Sequence, residues 1–281
     1  MSKNAASLFV IGLPIGHRSD ISQRALEILR QVKWIAAEDT RVTLQTLHEL
    51  GLDPPALVSY QDHNEREIYP RLIQRLEAGE AGALVTDAGT PGIADPGYHL
   101  VRACCLAGIS VIPIPGASSL AAALSISPIG GGDFYFGGFL PSNTSGRRKA
   151  MERVANWSVD RLVYFEAPHR LEAHLEDALD TLGNRALFLA RELTKKHEEK
   201  VLTTVAGALE LVRTQPPRGE YVLIYGPGST QNLVESELDE LIESLSKQGL
   251  KPSQIVKELQ KVSSLSRQAL YNRVIRLKQK N

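Results

Sequence analysis

The chain of 281 residues holds only two cysteines, Cys104 and Cys105, and they are neighbours. Adjacent cysteines cannot staple distant parts of a chain, so a cytoplasmic protein without structural disulfides is expected. No apolar run approaches the ~20 residues needed to span a bilayer. The opening MSKNAASLFVIGLPIG has a brief apolar segment that runs straight into a Pro/Gly loop, unlike a secretory leader. Net charge is missing as well: 32 Lys and Arg balance 32 Asp and Glu, so the molecule as a whole exerts no electrostatic pull on nucleic acid. The first glycine loop, GLPIG, lacks the GxGxxG spacing of a dinucleotide fold, and no GxxxxGK(S/T) phosphate loop occurs. The histidines form no HExxH, the cysteines offer no zinc spacing, and there is no GxSxG elbow. These absences argue against NAD, ATP, metal and triad-hydrolase chemistry.

What is present is alternation. SLFVIG (7–12), WIAAED (34–39), PALVSY (55–60), AGALVTD (81–87) and ISVIPIPG (109–116) read as strands. Between them, DISQRALEILRQV (20–32), EIYPRLIQRLEAG (67–79) and YHLVRACCLAG (98–108) carry apolar residues at helical spacing, the first capped by Asp20 or Ser19. The pattern continues with a buried helix over 118–129, strands at 134–141, 186–193 and 219–226, a strand running into a loop over 161–170, and a helix over 170–183. SNTSGRRKA (142–150) reads as a basic loop. Strands alternating with helices predict a mostly parallel sheet with helices on its faces. The expected units are an N-terminal α/β domain (1–117), a second α/β domain (118–228) and a helical appendage (235–281) of helix-turn-helix size behind the polar linker 227–234. That appendage is basic: from Lys251 onward, eight Lys or Arg face a single acid, Glu258.

Glycine and proline concentrate where strands end. In LVTDAGTPGIADPGYHLV (84–101) the chain stops a strand at Asp87 and then spends ten residues on breakers. Glycine lets a backbone approach a ligand closely and proline fixes the loop. GLPIG, PGASS, FEAPHR and ARELTK also follow strands, and the carboxyl ends of strands in an open sheet are where ligands bind. Five such loops point to a site, although any one of them could merely end its strand.

Taken in order, PIG (14–16), AAEDTR (36–41), DHNE (62–65), DAGTPGIADPG (87–97), GFLP (138–141) followed by GRR, YFEAPHR (164–170), ARELTK (190–195) followed by HEE, and GEYVLI (219–224) resemble one family over residues 7 to about 226. It is the ribosomal RNA small-subunit methyltransferase I family, within the tetrapyrrole-methylase class of S-adenosylmethionine-dependent enzymes. The resemblance implies two α/β/α domains with S-adenosylmethionine in the cleft between them, a homodimer, no metal, and 2′-O-methylation of a cytidine ribose (cytidine 1402) in the decoding region of 16S rRNA within the small ribosomal subunit. By motif, cofactor contacts fall on Ile15, Asp87, Gly89, Thr90, Ser118 and Ser119, with Phe165, Glu166 and Ala190 from the second half. The chain departs from the family with SNTS after GFLP, where lysines are frequent, with His17 in the first loop, and with PGASS.

The sulfonium already activates the methyl group, so positioning carries most of the catalysis, helped by a group that accepts the hydroxyl proton. Glu38 and Asp39, with Arg41 to hold a phosphate or orient a carboxylate, are the catalytic candidates; the trio also reads as a structural ion pair. His63 and Glu65 of DHNE are a second option, or an exposed polar turn, and His169–Arg170 either orient substrate or start a helix. RNA contacts are expected from Arg147, Arg148, Lys149, Lys195, Lys196, Arg267 and Arg273, each of which could equally sit on a solvated face. A methyltransferase acting on a porphyrin-like ring, a non-catalytic RNA-binding module and a nucleotide-binding regulator are the alternatives.

Overall fold

Short apolar runs that are buried on both faces are interior strands of a parallel sheet. The computed structural model describes residues 6–228, 235–247, 250–259 and 267–278. In it β1 (Leu8–Ile11), β2 (Trp34–Ala37), β3 (Ala56–Ser59), β4 (Gly82–Val85) and β5 (Val111–Ile114) pair in the order β3-β2-β4-β1-β5, all parallel. The interior strands β2 and β4 are buried at every position. Trp34 is fully buried against its register partner Gly82, where a Cβ would stand 2.1 Å from the indole ring. Only glycine leaves room for that ring on β4.

The crossovers are α1 (Gln23–Gln31), α2 (Thr40–Glu49), α3 (Glu65–Glu77) and α4 (Tyr98–Leu106). Ser22, not Asp20 or Ser19, caps α1, accepting from the Ala25 amide at 3.2 Å; residues 18–20 form a separate 3-10 turn capped by His17. Helix α2, which the periodicity does not announce, begins at Asp39. Strand β4 lies between β1 and β2, so the chain leaves β1 in one direction and β5 completes the other side. That switch point puts the loops after β1 and β4 side by side.

The second sheet corrects the expectation of parallel strands. Strands β6 (Phe134–Phe139), β7 (Arg161–Glu166), β8 (Ala186–Arg191), β9 (Glu199–Thr204) and β10 (Tyr221–Tyr225) take the order β6-β7-β10-β8-β9. Only β6 and β7 run parallel; the other pairings are antiparallel. The reason is local: β8 reaches β9 through a short turn with no helix, so the two close as neighbours. Helix α5 (Ser119–Ile126) covers one face, packing Ala123 with Val163, Phe188 and Ile224 and with Ile15 of the first half. Helices α6 (Thr144–Ala155), α7 (Leu171–Leu182) and α8 (Val205–Thr214) cover the other, over a core that includes Met151, Leu175, Leu189 and Leu223.

Residues 142–150 are therefore not a basic loop. Asn143 caps α6 through the Gly146 amide (2.7 Å), which turns Arg147 inward until it is 3 % exposed. Arg147 Nε and Arg148 Nε each donate to Asp177 of α7 at 2.6 Å, and Arg148 also reaches Asp180. These two arginines hold α6 to α7 and are not free for RNA, whereas Lys149 is exposed.

Helices α9 (Glu235–Lys247), α10 (Pro252–Leu259) and α11 (Arg267–Lys278) pack around their own core of Leu238, Ile242, Ile255, Val256, Leu259, Leu270 and Val274. Residues 229–234 of the linker, 248–249 and 260–266 lie outside the described residues. No helix among the described residues is long and apolar enough to cross a membrane.

Arg147→Ala removes the one buried cationic partner of the Asp177 carboxylate and leaves it only the more exposed Arg148. It should lower the unfolding free energy by about 3–5 kcal/mol, measured by urea denaturation, while S-adenosylmethionine affinity in the folded protein stays unchanged.

Candidate active site

Three loops at the carboxyl edge of the first sheet are stitched together by backbone. Gly12, just past β1, lies against Gly116, just past β5; a Cβ on Gly116 would stand 2.3 Å from the Gly12 carbonyl oxygen. Leu13 and Gly89 exchange two amide–carbonyl bonds, 2.9 and 3.1 Å, joining the loops after β1 and β4. Gly89 does so at φ +80°, which L side chains avoid. The Thr90 hydroxyl donates to the Ala117 carbonyl at 3.1 Å. The glycines the sequence marks are thus those that let three loops share one wall.

The second sheet supplies the facing wall. Because β10 runs antiparallel to β7 and β8, it begins where they end, so Phe165, Ala190 and Glu220–Val222 meet at one edge. Between the walls lies a cleft of about 810 Å³, open to solvent. Ile15, Gly89, Thr90, Ser118, Ser119, Phe165, Glu166 and Ala190 all border it. The lobes touch at its end, where the His17 amide donates to Thr194 Oγ1 at 3.1 Å.

Asp87 is not in that lining. Its carboxylate is half-buried and accepts the Asp39 amide at 3.0 Å, tying the loop after β4 to the start of α2. Glu166 borders the cleft with its carboxylate already engaged: Oε1 accepts the Ala167 amide (2.9 Å) and faces Arg170, and Oε2 lies 2.7 Å from His174 Nδ1. Burial is the largest single influence and opposes its ionisation, but His174, the Ala167 amide and Arg170 together outweigh it and hold Glu166 below the usual carboxylate range. His174 is pushed down by burial, so it sits there as a neutral ring donating Nδ1–H. Glu166 thus braces the wall of the cleft it borders.

The catalytic trio separates. Asp39 caps α2, accepting the Arg41 amide (2.8 Å) and its guanidinium (2.6 Å to Nη2), and this hydrogen bonding lowers Asp39 to about 2. So weak a base is the ion pair that the sequence left open. Glu38 is raised, first by burial and then by Asp87 and Asp95. Asp95, which the motif reading passed over although DAGTPGIADPG contains it, borders the cleft and is raised to about 6 by burial, then Asp87, Asp62 and Glu220. Glu65 of DHNE is buried under Tyr60 (3.2 Å) and beside His99 (3.4 Å), a brace between α3 and α4; His63 is exposed. Arg170 grips the Leu140 and Pro141 carbonyls.

Of the remaining expected RNA contacts, Lys195 borders the cleft and pairs with Glu192 (2.9 Å) and Glu220 (3.0 Å). Lys196 is exposed. Arg273 is not: its Nε donates to Asp239 of α9 at 2.6 Å, which corrects the surface role expected of it. The Arg267 side chain lies outside the described residues. Phe139, Ile93, Glu192, Leu193, Tyr221 and Val222 also line the cleft, and sequence reasoning missed them; GFLP, ARELTK and GEYVLI carry most of them. Among the described residues, no cluster of His, Cys, Asp and Glu is suited to a metal ion.

S-adenosylmethionine fits this composition. Ile15, Phe165, Ala190 and Val222 make an apolar surface for a flat base, Thr90, Ser118 and Ser119 offer polar groups, and Asp95 and Glu220 suit a positive centre. The positive φ at Gly89, 3.5 Å from Ile15 were a Cβ present, keeps the floor open to a ligand.

Residues 7–210 match the family described as Tetrapyrrole (Corrin/Porphyrin) Methylases. Among solved structures, the uroporphyrin-III C-methyltransferase of Thermus thermophilus complexed with S-adenosyl homocysteine superposes with a TM-score of 0.56 at 19% identity, covering 79% of this chain and 97% of that one. A cobalt precorrin-4 methyltransferase of cobalamin biosynthesis gives 0.60 at 16% identity, covering 78% and 94%. Fold and cleft are those of a tetrapyrrole-methylase-type methyltransferase. Relatives of much higher identity are named ribosomal RNA small subunit methyltransferase I. The protein of Synechocystis is 40% identical over 268 residues (94% of this chain, 95% of that one), and that of Pseudomonas aeruginosa is 46% identical over 196 residues (69% of each). The chain belongs to this ribosomal RNA small subunit methyltransferase I family.

Asp95 titrates from its ordinary value of 3.8 unfolded to about 6 folded, so its ionised form costs stability. The cost is absent below about pH 4 and complete above about pH 6. Asp95→Asn should therefore raise the thermal midpoint near pH 7.5 and leave it unchanged near pH 4, read by calorimetry at the two pH values.

Proposed function

We propose that this chain methylates the ribose 2′-oxygen of a cytidine in the decoding region of 16S rRNA, cytidine 1402 by family analogy. The chain is an S-adenosylmethionine-dependent rRNA methyltransferase; the position and the atom are the proposal. The carrying observation is the single crevice into which Ile15 and the Gly89–Thr90 loop of one lobe and Ser118, Ser119, Phe165 and Ala190 of the other converge. In this reading residues 1–117 and 118–228 are the two halves of the cleft, and 235–281 is an appendage that faces RNA with Lys251, Lys257 and Arg276.

When bound, the cofactor supplies a methyl group already activated by its sulfonium. The chain has then to bind, orient and move one proton. Ile15, Phe165 and Ala190 hold the apolar part and Thr90, Ser118 and Ser119 the polar part, which fixes the reacting atoms relative to one another. Glu38, which stands outside the cleft lining beside Asp87 and Asp95, is the motif's candidate to accept the hydroxyl proton: burial and the two nearby carboxylates favour its protonated form, whereas Asp39 is held acidic by Arg41. Lys149 and Lys196, both exposed, meet phosphates and position without reading sequence.

The test is methyl transfer from labelled cofactor to small ribosomal subunits, with the product digested and its nucleosides identified by mass spectrometry. 2′-O-methylcytidine is expected; label on another nucleoside, or on a precorrin instead, would overturn the reading. Glu38→Gln should lower kcat by about 10²- to 10⁴-fold with KM for the subunit little changed.

A homodimer is part of the same reading. Val10, Leu84, Val101, Val111 and Pro113 line an apolar groove beside Tyr98, which is 67% exposed, and a second copy would cover it. Tyr98→Asp should convert a dimer to a monomer in sedimentation equilibrium; a wild-type monomer excludes this interface.

A further inference from the structure

Strand β6 contains a feature that the cofactor site does not use. Residues alternate between the faces of a strand. Tyr135 packs into the core beneath α6 and α7, while Phe136 packs on the cleft-side face, 4.9 Å from Phe165. Continued alternation would send Phe139 to the same face as Tyr135. It does not go there, because the register with β7 shifts: Phe136 pairs with Val163 and Phe139 with Phe165, three residues against two. The extra residue is a β-bulge, a device uncommon between parallel strands and one that re-aims side chains near active sites.

Glycines make the bulge. Gly138 sits at φ +60°, and a Cβ on Gly137 would stand 2.3 Å from the Tyr164 ring. Beyond the bulge Phe139 lies edge-on to Phe165, ring centroids 5.6 Å apart, lines the cleft and remains 52% exposed. The next residue, Leu140, is buried, and Arg170 holds the Leu140 and Pro141 carbonyls, so the ring is fixed at its base. Across the cleft, in the loop after β4, Ile93 is 50% exposed. One exposed apolar residue from each lobe thus borders the same opening.

We propose that Phe139, turned into the cleft by the Gly137–Gly138 bulge, is a stacking platform for the base of the nucleotide whose ribose is methylated, with Ile93 closing the other side. The inference rests on the rRNA reading above and names the substrate-base subsite of that cleft. A nucleotide inside folded RNA has to leave its stack for its sugar to reach a cofactor in a crevice, and a base taken out of a stack needs a new surface. An exposed aromatic ring is sequence-tolerant in that role, because every base has a π-face.

Phe139→Ala, Phe139→Trp and Gly138→Ala separate this from a structural role. Methyl transfer to small ribosomal subunits, S-adenosylmethionine binding by calorimetry, and fluorescence of a short single-stranded RNA carrying pyrrolocytidine at the target position are the three readouts. Phe139→Ala should lower kcat/KM for the subunit by about 5- to 150-fold, the range of a lost base–aromatic stack, and abolish quenching of the analogue, with cofactor affinity within about twofold of wild type. Phe139→Trp should restore both, and Gly138→Ala should behave as Phe139→Ala. Unchanged kcat/KM in Phe139→Ala, or a loss matched in cofactor affinity, would overturn the platform, as would equal quenching by wild type and Phe139→Ala. Quenching that depends on Phe139 in a wild-type chain that transfers no methyl group would support the platform and overturn the reaction assigned above.

Discussion

The cleft exists because two turns are allowed to touch. A Cβ on Gly16 would fall 2.5 Å from Lys195 Cγ, 2.7 Å from Thr194 Oγ1 and 3.1 Å from the Leu193 carbonyl oxygen. All three neighbours belong to a turn whose own backbone is strained: Glu192 and Thr194 both have positive φ, 48° and 64°. Such conformations persist only where their surroundings over-determine them. Here the Glu198 carboxylate accepts the Thr194 amide at 2.7 Å, and Glu192 Oε1 accepts both Lys195 Nζ and the Glu220 amide. A loop after β1 and a turn after β8, some 177 residues apart in sequence, are thereby locked together. Every other wall of the site is placed relative to that contact.

From this constraint the chemistry is economical. Loops that bond mainly to one another through backbone leave the side chains around them to set electrostatics. Asp87 and Asp95 raise the affinity of Glu38 for protons, and Asp87 raises that of Asp95, on top of what burial does. Such a site is unfriendly to anions and suited to a cationic ligand, and it holds its basic groups at the edge of ionisation. Below the second sheet the opposite principle applies. Glu166, His174, Arg147 and Asp177 are buried, paired charges and polar groups, and they fix α6 and α7 under the strand ends that face the cleft.

Much of this was legible in the sequence. Apolar runs ending in Gly/Pro loops marked the first sheet and its ligand edge, because interior parallel strands are apolar on both faces and their loops need backbone freedom. The second sheet was less readable. Alternation of strand and helix implies parallel pairing only if each crossover holds a helix, and nothing in ARELTKKHEEKV announces that β8 turns directly into β9. The arginines of GRRKA looked like a nucleic-acid surface; a charge count cannot tell that Asn143 would start a helix there and that Asp177, thirty residues on, would claim Arg147. Asp87, read as a ligand, lies outside the cleft lining and ties two loops, a role that only folding reveals. Asp95 went unread because its importance comes from carboxylates brought near it by folding. Phe139 was hidden for a subtler reason: its face depends on one extra residue in β6, and period-two reasoning assigns it to the wrong side.

The three tail helices bury their own apolar side chains, Leu238, Ile242, Ile255 and Leu270 among them, around a centre separate from those of the two lobes. A unit that carries its own core can be removed or replaced without opening a cavity in its neighbours. Structural neighbours that act on corrinoid or porphyrin rings match about four-fifths of this chain. The junction ahead of α9 is therefore a place where this architecture can gain or lose a unit while both lobes keep their packing.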